Sequence, residues 1–265
     1  MDNPATKSMP AAQPFLLPQL SRAQGRFIKS LRHKKHRQQA RAFVVEGAKG
    51  VAQLLAGRHP VRWLVGTGAF LAAHRGLWQQ RVGQVFRATE GQLAGLGTLV
   101  TNGAAVAVAP FLPWPVARPE VVWGLVLDGV RDPGNLGTLV RTAAWYGIPA
   151  LICSPSTVDV YNPKVLQASV GAFLHVPVHY TPLPAFLQRT PWPVLGACTT
   201  GSPLRHTALP WPGCIVVGNE ARGISPAVLA YVQQRVTIPR YGPAESLNAA
   251  VAAAVVCDQW RAGKC

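Results

Sequence analysis

Short apolar runs and amphipathic stretches alternate along this chain. Between Ala42 and Pro110, "AFVVEG", "VRWLVG", "RVGQVFRA" and "GAAVAVAP" read as strands, while "AKGVAQLLAG" and the stretch near "AFLAAHRGLW" carry helical spacing between them. Such alternation predicts a small α/β domain. Pro110, Pro113, Pro115 and Pro119 then crowd "PFLPWPVARP", which can be neither helix nor central strand because proline lacks the N–H that either ladder needs. Residues 111–119 are therefore expected to be a linker between a domain at 21–110 and a second at 120–265. Residues 1–20 are Pro-rich and aperiodic and are expected to be mobile.

The second domain repeats one theme, an apolar strand, a turn rich in glycine and polar residues, and a helix. Val121 to Leu127 is a near-continuous apolar run, as in a strand covered on both faces. "DGVRDPG" turns the chain, and Asn135 stands where the helix is expected to start, with Leu136, Leu139, Val140 and Ala143 as its buried stripe and Arg141 off it. "CIVVGNEARGISPAVLA" passes through Gly218, Asn219, Glu220 and Gly223 to a helix with Ser225 at the N-cap and Pro226 first. In "RVTIPRYGPAESLNAAVAAAVV" the polar residues Glu245, Ser246 and Asn248 stand at the entrance of an Ala-rich helix. Taken singly, glycines serve turns, Ser and Asn serve caps, and alanines allow close packing. Together, each behind a strand end, they predict a ligand crevice at the carboxyl ends of the strands. Neither G-x-G-x-x-G nor G-x-x-x-x-G-K-[ST] occurs, which disfavours a standard dinucleotide or P-loop site.

Composition narrows the partner. Hydrophobic residues make up 49% of the 265 residues, enough for a sizeable core, and 26 Lys+Arg against 10 Asp+Glu leave a net charge of +16. A surface this basic attracts polyanions, nucleic acid first and an anionic membrane second. The surplus is dense in "SRAQGRFIKSLRHKKHRQQAR", with Arg22, Arg26, Lys29, Arg32, Lys34, Lys35, Arg37 and Arg41. Phe27, Ile28 and Leu31 share helical spacing among them, so a short basic helix with one apolar stripe is expected, either a solvated face or an RNA contact. No apolar run reaches the roughly 20 residues of a membrane span, and the N-terminus lacks a basic region ahead of an apolar core, so a cytoplasmic protein is expected. Cys153, Cys198, Cys214, Cys257 and Cys265 form no C-x-x-C pair and read as reduced, mostly buried thiols. His33, His36, His175 and His206 lack ligand spacing, and no metal is expected.

"DPGNLGTLVRTAAWYG", "IVVGNEARGIS" and "IPRYGPAESLNAAVAAAV" resemble the three ordered motifs of the SpoU/TrmH-type RNA 2′-O-ribose methyltransferases of the SPOUT superfamily, across about residues 121 to 262. "RAFVVEGAKGVAQLLAG" resembles the start of that family's substrate-binding domain. The resemblance implies a C-terminal trefoil-knotted α/β methyltransferase domain, S-adenosylmethionine as cofactor, and a homodimer with active sites at the subunit interface. It implies RNA as substrate, ribosomal RNA ahead of transfer RNA. Carried over by position, Gly218, Ile238 and Leu247, with Thr199 in "GACTTGS", match the cofactor contacts, and Asn135, Arg141, Glu220, Ser246 and Asn248 match the catalytic polar residues. Arg141 is the family's proposed activator of the ribose hydroxyl. A guanidinium normally stays protonated, so it is expected to orient the hydroxyl and a phosphate, with Asn135 positioning it. Arg240 after Ile-Pro, where an apolar residue is usual, and Ala250, where Ser is common, depart from the pattern. Two readings of other classes stay open: a catalytically silent RNA-binding module, and a small-molecule enzyme using the same cofactor.

Overall fold

Residues 17–98 and 103–263 are described by the computed structural model. The N-terminal half runs α1 (Arg22–Ser30), α2 (Lys34–Ala40), β1 (Ala42–Glu46), α3 (Ala48–Ala56), β2 (Val61–Gly66), α4 (Gly68–Ala73), α5 (Arg75–Trp78), β3 (Val82–Arg87), α6 (Glu90–Ala94) and β4 (Ala105–Pro110). Its sheet has the order β1-β4-β2-β3, with β4 antiparallel to both neighbours and β2 parallel to β3. The two-residue period of a strand sorts the side chains by face. Val44, Val65, Phe86, Val106 and Val108 pack with Ile28 and Leu31 from the basic segment and with Leu93 and Leu96. Phe43, Val45, Leu64 and the alanines of β4 pack under Leu54, Leu55 and Phe70, and this core continues into the second domain. The apolar stripe expected among the cations is therefore real, and it anchors α1. Helix α6 escaped the hydrophobic pattern because it has only five residues, but the Thr89–Gln92 capping box starts it unambiguously.

Residues 1–16 of the segment expected to be mobile, and Cys265, lie outside the described residues. The rest of that segment is fixed: Gln19 bridges to Arg87, whose N–H donates to the Pro18 carbonyl at 3.0 Å.

One cation of the basic segment is not on the surface. Arg37 is 2% exposed; its Nε and Nη2 donate to Asp159 Oδ2 at 3.0 and 2.6 Å, and its Nη1 donates to the carbonyls of Leu31 and Arg32. Asp159 belongs to the second domain, so Arg37 ties the domains together, contrary to its expected place in an RNA footprint. Beside it Phe43 and Phe111 stack on Tyr161 at 4.6 and 4.3 Å. Removing one partner of a buried pair strands the other, so Arg37→Met is expected to destabilise the chain by about 3 kcal/mol, the low end of the usual range because Asp159 is partly exposed. Urea denaturation checks it; a loss below about 1 kcal/mol, the scale of a surface pair, contradicts it.

The C-terminal half continues with β5 (Gly124–Leu127), α7 (Pro133–Tyr146), β6 (Leu151–Cys153), α8 (Pro163–Ser169), β7 (Val178–Tyr180), α9 (Leu183–Arg189), β8 (Val194–Pro203), β9 (Cys214–Val217), α10 (Pro226–Leu229), β10 (Gln234–Thr237) and α11 (Ala249–Ala262). All neighbours in its six-stranded sheet, order β10-β8-β9-β5-β6-β7, are parallel. Both faces are covered, which is why the strands read as unbroken apolar runs: Val126, Ile152, Cys214 and Val216 meet Phe186 and Leu187, while Leu125, Leu127 and Ile215 meet the side of α7 and α11. The first strand is shorter than expected, because Val121 is exposed and pairing begins at Gly124. At Gly137 a Cβ would run into Ala168 and the Val165 carbonyl, so glycine lets α7 lie close on α8. Cys153, Cys214 and Cys257 are buried free thiols and Cys198 is partly buried. Among the described residues no helix is long and apolar enough to cross a membrane.

Candidate functional site

The parallel sheet places the carboxyl ends of β5, β8, β9 and β10 along one edge, and their connections to the following elements converge there. After β5, Gly129 takes a positive φ of 72°, which glycine adopts freely, and the chain enters α7. Asp132 caps that helix, its Oδ1 accepting from the Asn135 N–H at 2.8 Å, with Pro133 at the first position. Asn135 is thus not the cap but the third helical residue, which frees its amide for contacts outside the helix.

After β9, Gly218 is buried, and a Cβ there would run into the backbone of Gly223 and Ile224. Asn219 and Gly223 exchange backbone hydrogen bonds at 2.9 Å in both directions, closing a tight loop. Asn219 Nδ2 donates to the Gly129 carbonyl at 2.7 Å and to Glu220 Oε2 at 3.2 Å. Asp128 Oδ2 accepts from the Ser225 N–H at 2.7 Å, a second tie between the two loops.

The three sequence units meet in one hydrogen-bonded chain. Asn135 Nδ2 donates to Glu220 Oε1 at 2.9 Å, and Asn135 Oδ1 accepts from Asn248 Nδ2 at 2.8 Å. The Asn248 Oδ1 accepts from Ala250 N–H and Val251 N–H, capping α11. Amide direction is fixed by this network: a carboxylate can only accept, so Asn135 must present its NH2 to Glu220 and its oxygen to Asn248.

Burial pushes the Glu220 carboxyl up. The bond from Asn135 and the backbone N–H groups of Glu220, Arg131 and Asp132 outweigh it and hold the group below its ordinary value. Because the folded pKa is the lower one, the stability this carboxylate contributes is fully present above the unfolded value, about 4.3 for Glu. It is lost as pH falls through the folded value. The stability difference between the wild type and Glu220→Gln is therefore expected to hold from neutral pH down to that region and to shrink below it in pH-dependent thermal melts; a difference that grows on acidification contradicts the network.

The other expected residues occupy three places. Thr199 lies within β8, past the stretch Val194–Ala197 that pairs with β9, and Ile238 directly follows β10; Thr237 Oγ1 donates to the Thr199 carbonyl at 3.1 Å. Ser246 and the half-exposed Leu247 lie in the loop that leads to Asn248. Arg141 is exposed on α7 and makes no hydrogen bond or ion pair among the described residues; Asn135, engaged on both sides, does not hold it as expected. Of the cations, Arg22, Arg26, Arg32, Lys34, Lys35 and Arg41 are exposed and Arg37 is not. Asp128, Asp132 and Asn219 belong to the site as well, without being expected there: Asp128 directly follows β5, Asn219 comes two residues after β9, and Asp132 sits at the end of the turn that leads from β5 into α7. An apolar Leu247, a half-buried Ile238 and the side-chain-free Gly218 suit an organic group with an apolar part. No group of three metal-ligating side chains forms among the described residues.

Residues 123–258, just over half of the chain, match the model of the SpoU rRNA Methylase family. The chain belongs to that family. Residues 24–107 match the MRM3-like substrate binding domain. The chain is 38% identical over 136 residues to the 23S rRNA (guanosine(2553)-2′-O)-methyltransferase RlmP of Bacillus subtilis, a stretch covering 50% of this chain and 55% of that protein. Similarity to an uncharacterized tRNA/rRNA methyltransferase of Synechocystis, at 34% identity, covers 56% and 58%. The chain thus spans little more than half the length of these two relatives. Among solved structures, a TrmH-family protein from Porphyromonas gingivalis superposes with a TM-score of 0.82 at 39% identity, covering 92% of this chain and 99% of that one. AviRb, a SpoU methyltransferase of Streptomyces viridochromogenes crystallised with AdoMet, shares the fold at a TM-score of 0.80 and 24% identity, with 91% and 98% covered.

Proposed function

We propose that this chain transfers a methyl group from S-adenosylmethionine to a ribose 2′-hydroxyl of RNA, with ribosomal RNA favoured over transfer RNA. The observation that carries this reading is the Glu220–Asn135–Asn248 chain, which joins all three motif loops at the carboxyl ends of the strands. A silent RNA-binding module has no use for such a network, and a small-molecule enzyme has no use for a net charge of +16. The match of residues 24–107 to a substrate-binding domain and the similarity to a 23S rRNA enzyme favour ribosomal RNA.

The bound cofactor would supply an already electrophilic methyl group, so the chain's task is to hold the acceptor oxygen in line and assist loss of its proton. Thr199, Gly218, Ile238 and Leu247 would enclose the cofactor, largely through backbone groups. Asn135, Glu220 and Asn248 fix the loops, Ser246 faces the ribose, and Arg141 orients the hydroxyl and a neighbouring phosphate through its fork of donors. Threading of the C-terminal segment into a trefoil knot belongs to the same reading.

Arg141 reaches the site in a homodimer. It stands one helical turn from Trp145, which is 84% exposed, and Val251 and Val255 of α11 are exposed as well. Apolar side chains this large on helices beside the crevice suit burial by a second copy. Val251→Asp with Val255→Asp is expected to give a monomer by sedimentation and to abolish methyl transfer; an active monomer contradicts the dimeric site. The substrate is identified by mapping 2′-O-methyl marks in RNA from cells with and without the gene. A mark lost from ribosomal RNA is the expected result, and one lost from transfer RNA alone reassigns the substrate.

A further inference from the structure

A groove of about 500 Å³ lies in the N-terminal domain, on the α1 and α6 side of its sheet. Its volume falls within the range of about 300–1,000 Å³ typical of small-ligand sites. Arg22, Arg26 and Lys29 line one wall, at the four- and seven-residue spacing that puts side chains on one face of a helix, and Arg87 at the end of β3 adds a fourth cation. All four are exposed, none forms an ion pair among the described residues, and no acidic residue lines the groove. The floor is apolar, with Ala88 and Leu96 at its base.

A phosphate-binding face needs cations but no apolar floor, and a regular duplex keeps its bases stacked inside and offers the floor nothing. An unpaired nucleotide has both parts: phosphates for the cations, and a base that gains by lying on apolar surface and guanidinium planes. We propose that this groove holds one unpaired RNA nucleotide by its flanking phosphates, with the base against the Ala88–Leu96 floor. The inference rests on RNA being the substrate, and it names the feature of that RNA the N-terminal domain recognises.

Gly91 provides a test that leaves every charge in place. It lines the groove, and a Cβ built on it meets nothing within 4 Å, so a larger side chain there fills the groove without disturbing the packing. Binding of the full-length chain is measured by fluorescence anisotropy with a short labelled single-stranded RNA and with its duplex form, at several salt concentrations. Gly91→Leu is expected to weaken single-strand binding about tenfold, the scale of one lost base stack, with the salt slope and duplex binding unchanged. Arg26→Gln with Lys29→Gln is expected to flatten the single-strand salt slope by about 0.7 for each phosphate left without its cation. A Gly91→Leu chain with wild-type Tm and wild-type single-strand affinity overturns the proposal, as does equal weakening of both RNA forms. Should Gly91→Leu lower the Tm, the Arg26→Gln, Lys29→Gln chain decides: a larger drop in affinity for the single strand supports the groove, and equal drops overturn it. Labelled methyl transfer to ribosomal RNA by the wild type, run in parallel, separates this outcome from failure of the methyltransferase reading itself.

Discussion

Arg141→Ala is expected to lower methyl transfer by at least about a hundredfold, the scale on which a positioned proton-transfer or orienting group acts, and to leave S-adenosylmethionine affinity within about twofold. The reason lies in what Arg141 does not touch. It is exposed, makes no hydrogen bond or ion pair among the described residues, and stands off the buried stripe of Leu136, Leu139, Val140 and Ala143. Its removal therefore costs the fold little, and whatever is lost is lost on the ribose side. Arg141→Lys keeps the charge but not the planar fork and should recover only a small part of the rate. Single-turnover kinetics with calorimetric cofactor binding read the two effects separately. Equal loss of rate and cofactor affinity contradicts the role assigned to Arg141.

Gly218→Ala is expected to abolish cofactor binding, because the added methyl has nowhere to go. It would meet the backbone of Gly223 and Ile224 rather than a side chain that could swing aside. To admit it, the Asn219–Gly223 loop must open, which moves Asn219 off the Gly129 carbonyl and Glu220 off Asn135. Overpacking of this kind costs about 1–3 kcal/mol, so the chain should still fold while the edge of the crevice is rebuilt. Gly147→Ala is the control. Gly147 has a φ of 65° with open space around its Cβ, so the change costs only the left-handed backbone, about 1–2 kcal/mol, and leaves the site intact. A Gly218→Ala chain that binds cofactor as well as the Gly147→Ala chain contradicts the tight-loop account.

Much of this arrangement was legible in the sequence because it depends on short-range pattern. The apolar runs marked the strands, and Ser225–Pro226 marked the start of α10. The three motif loops were expected at the strand ends, where the sheet puts them. What escaped depends on contacts distant along the chain or on elements too short to show a period. Arg37 looks like any other cation until Asp159, far along the chain, comes to face it. The pairing of Asn135 with Glu220 and Asn248 follows from the parallel order of β5, β9, β8 and β10, which periodicity does not report. The helix expected to start at Asn135 starts two residues earlier, because Asp132 holds the cap and the proline behind it is already set for the first helical position. The groove under α1 needs Arg87 and Gly91, which lie outside the basic run at residues 22–41.

The central claim, methyl transfer to a ribose oxygen, is tested most directly with the purified chain, methyl-labelled S-adenosylmethionine and ribosomal RNA from cells lacking the gene. The labelled RNA is then digested with alkali, which needs a free 2′-hydroxyl to cut the neighbouring phosphodiester. The account predicts label in an alkali-resistant dinucleotide, and no label there with the Arg141→Ala chain. Label released in mononucleotides, which marks methylation of a base, would contradict it, and so would failure to transfer any methyl group to RNA while the cofactor is bound.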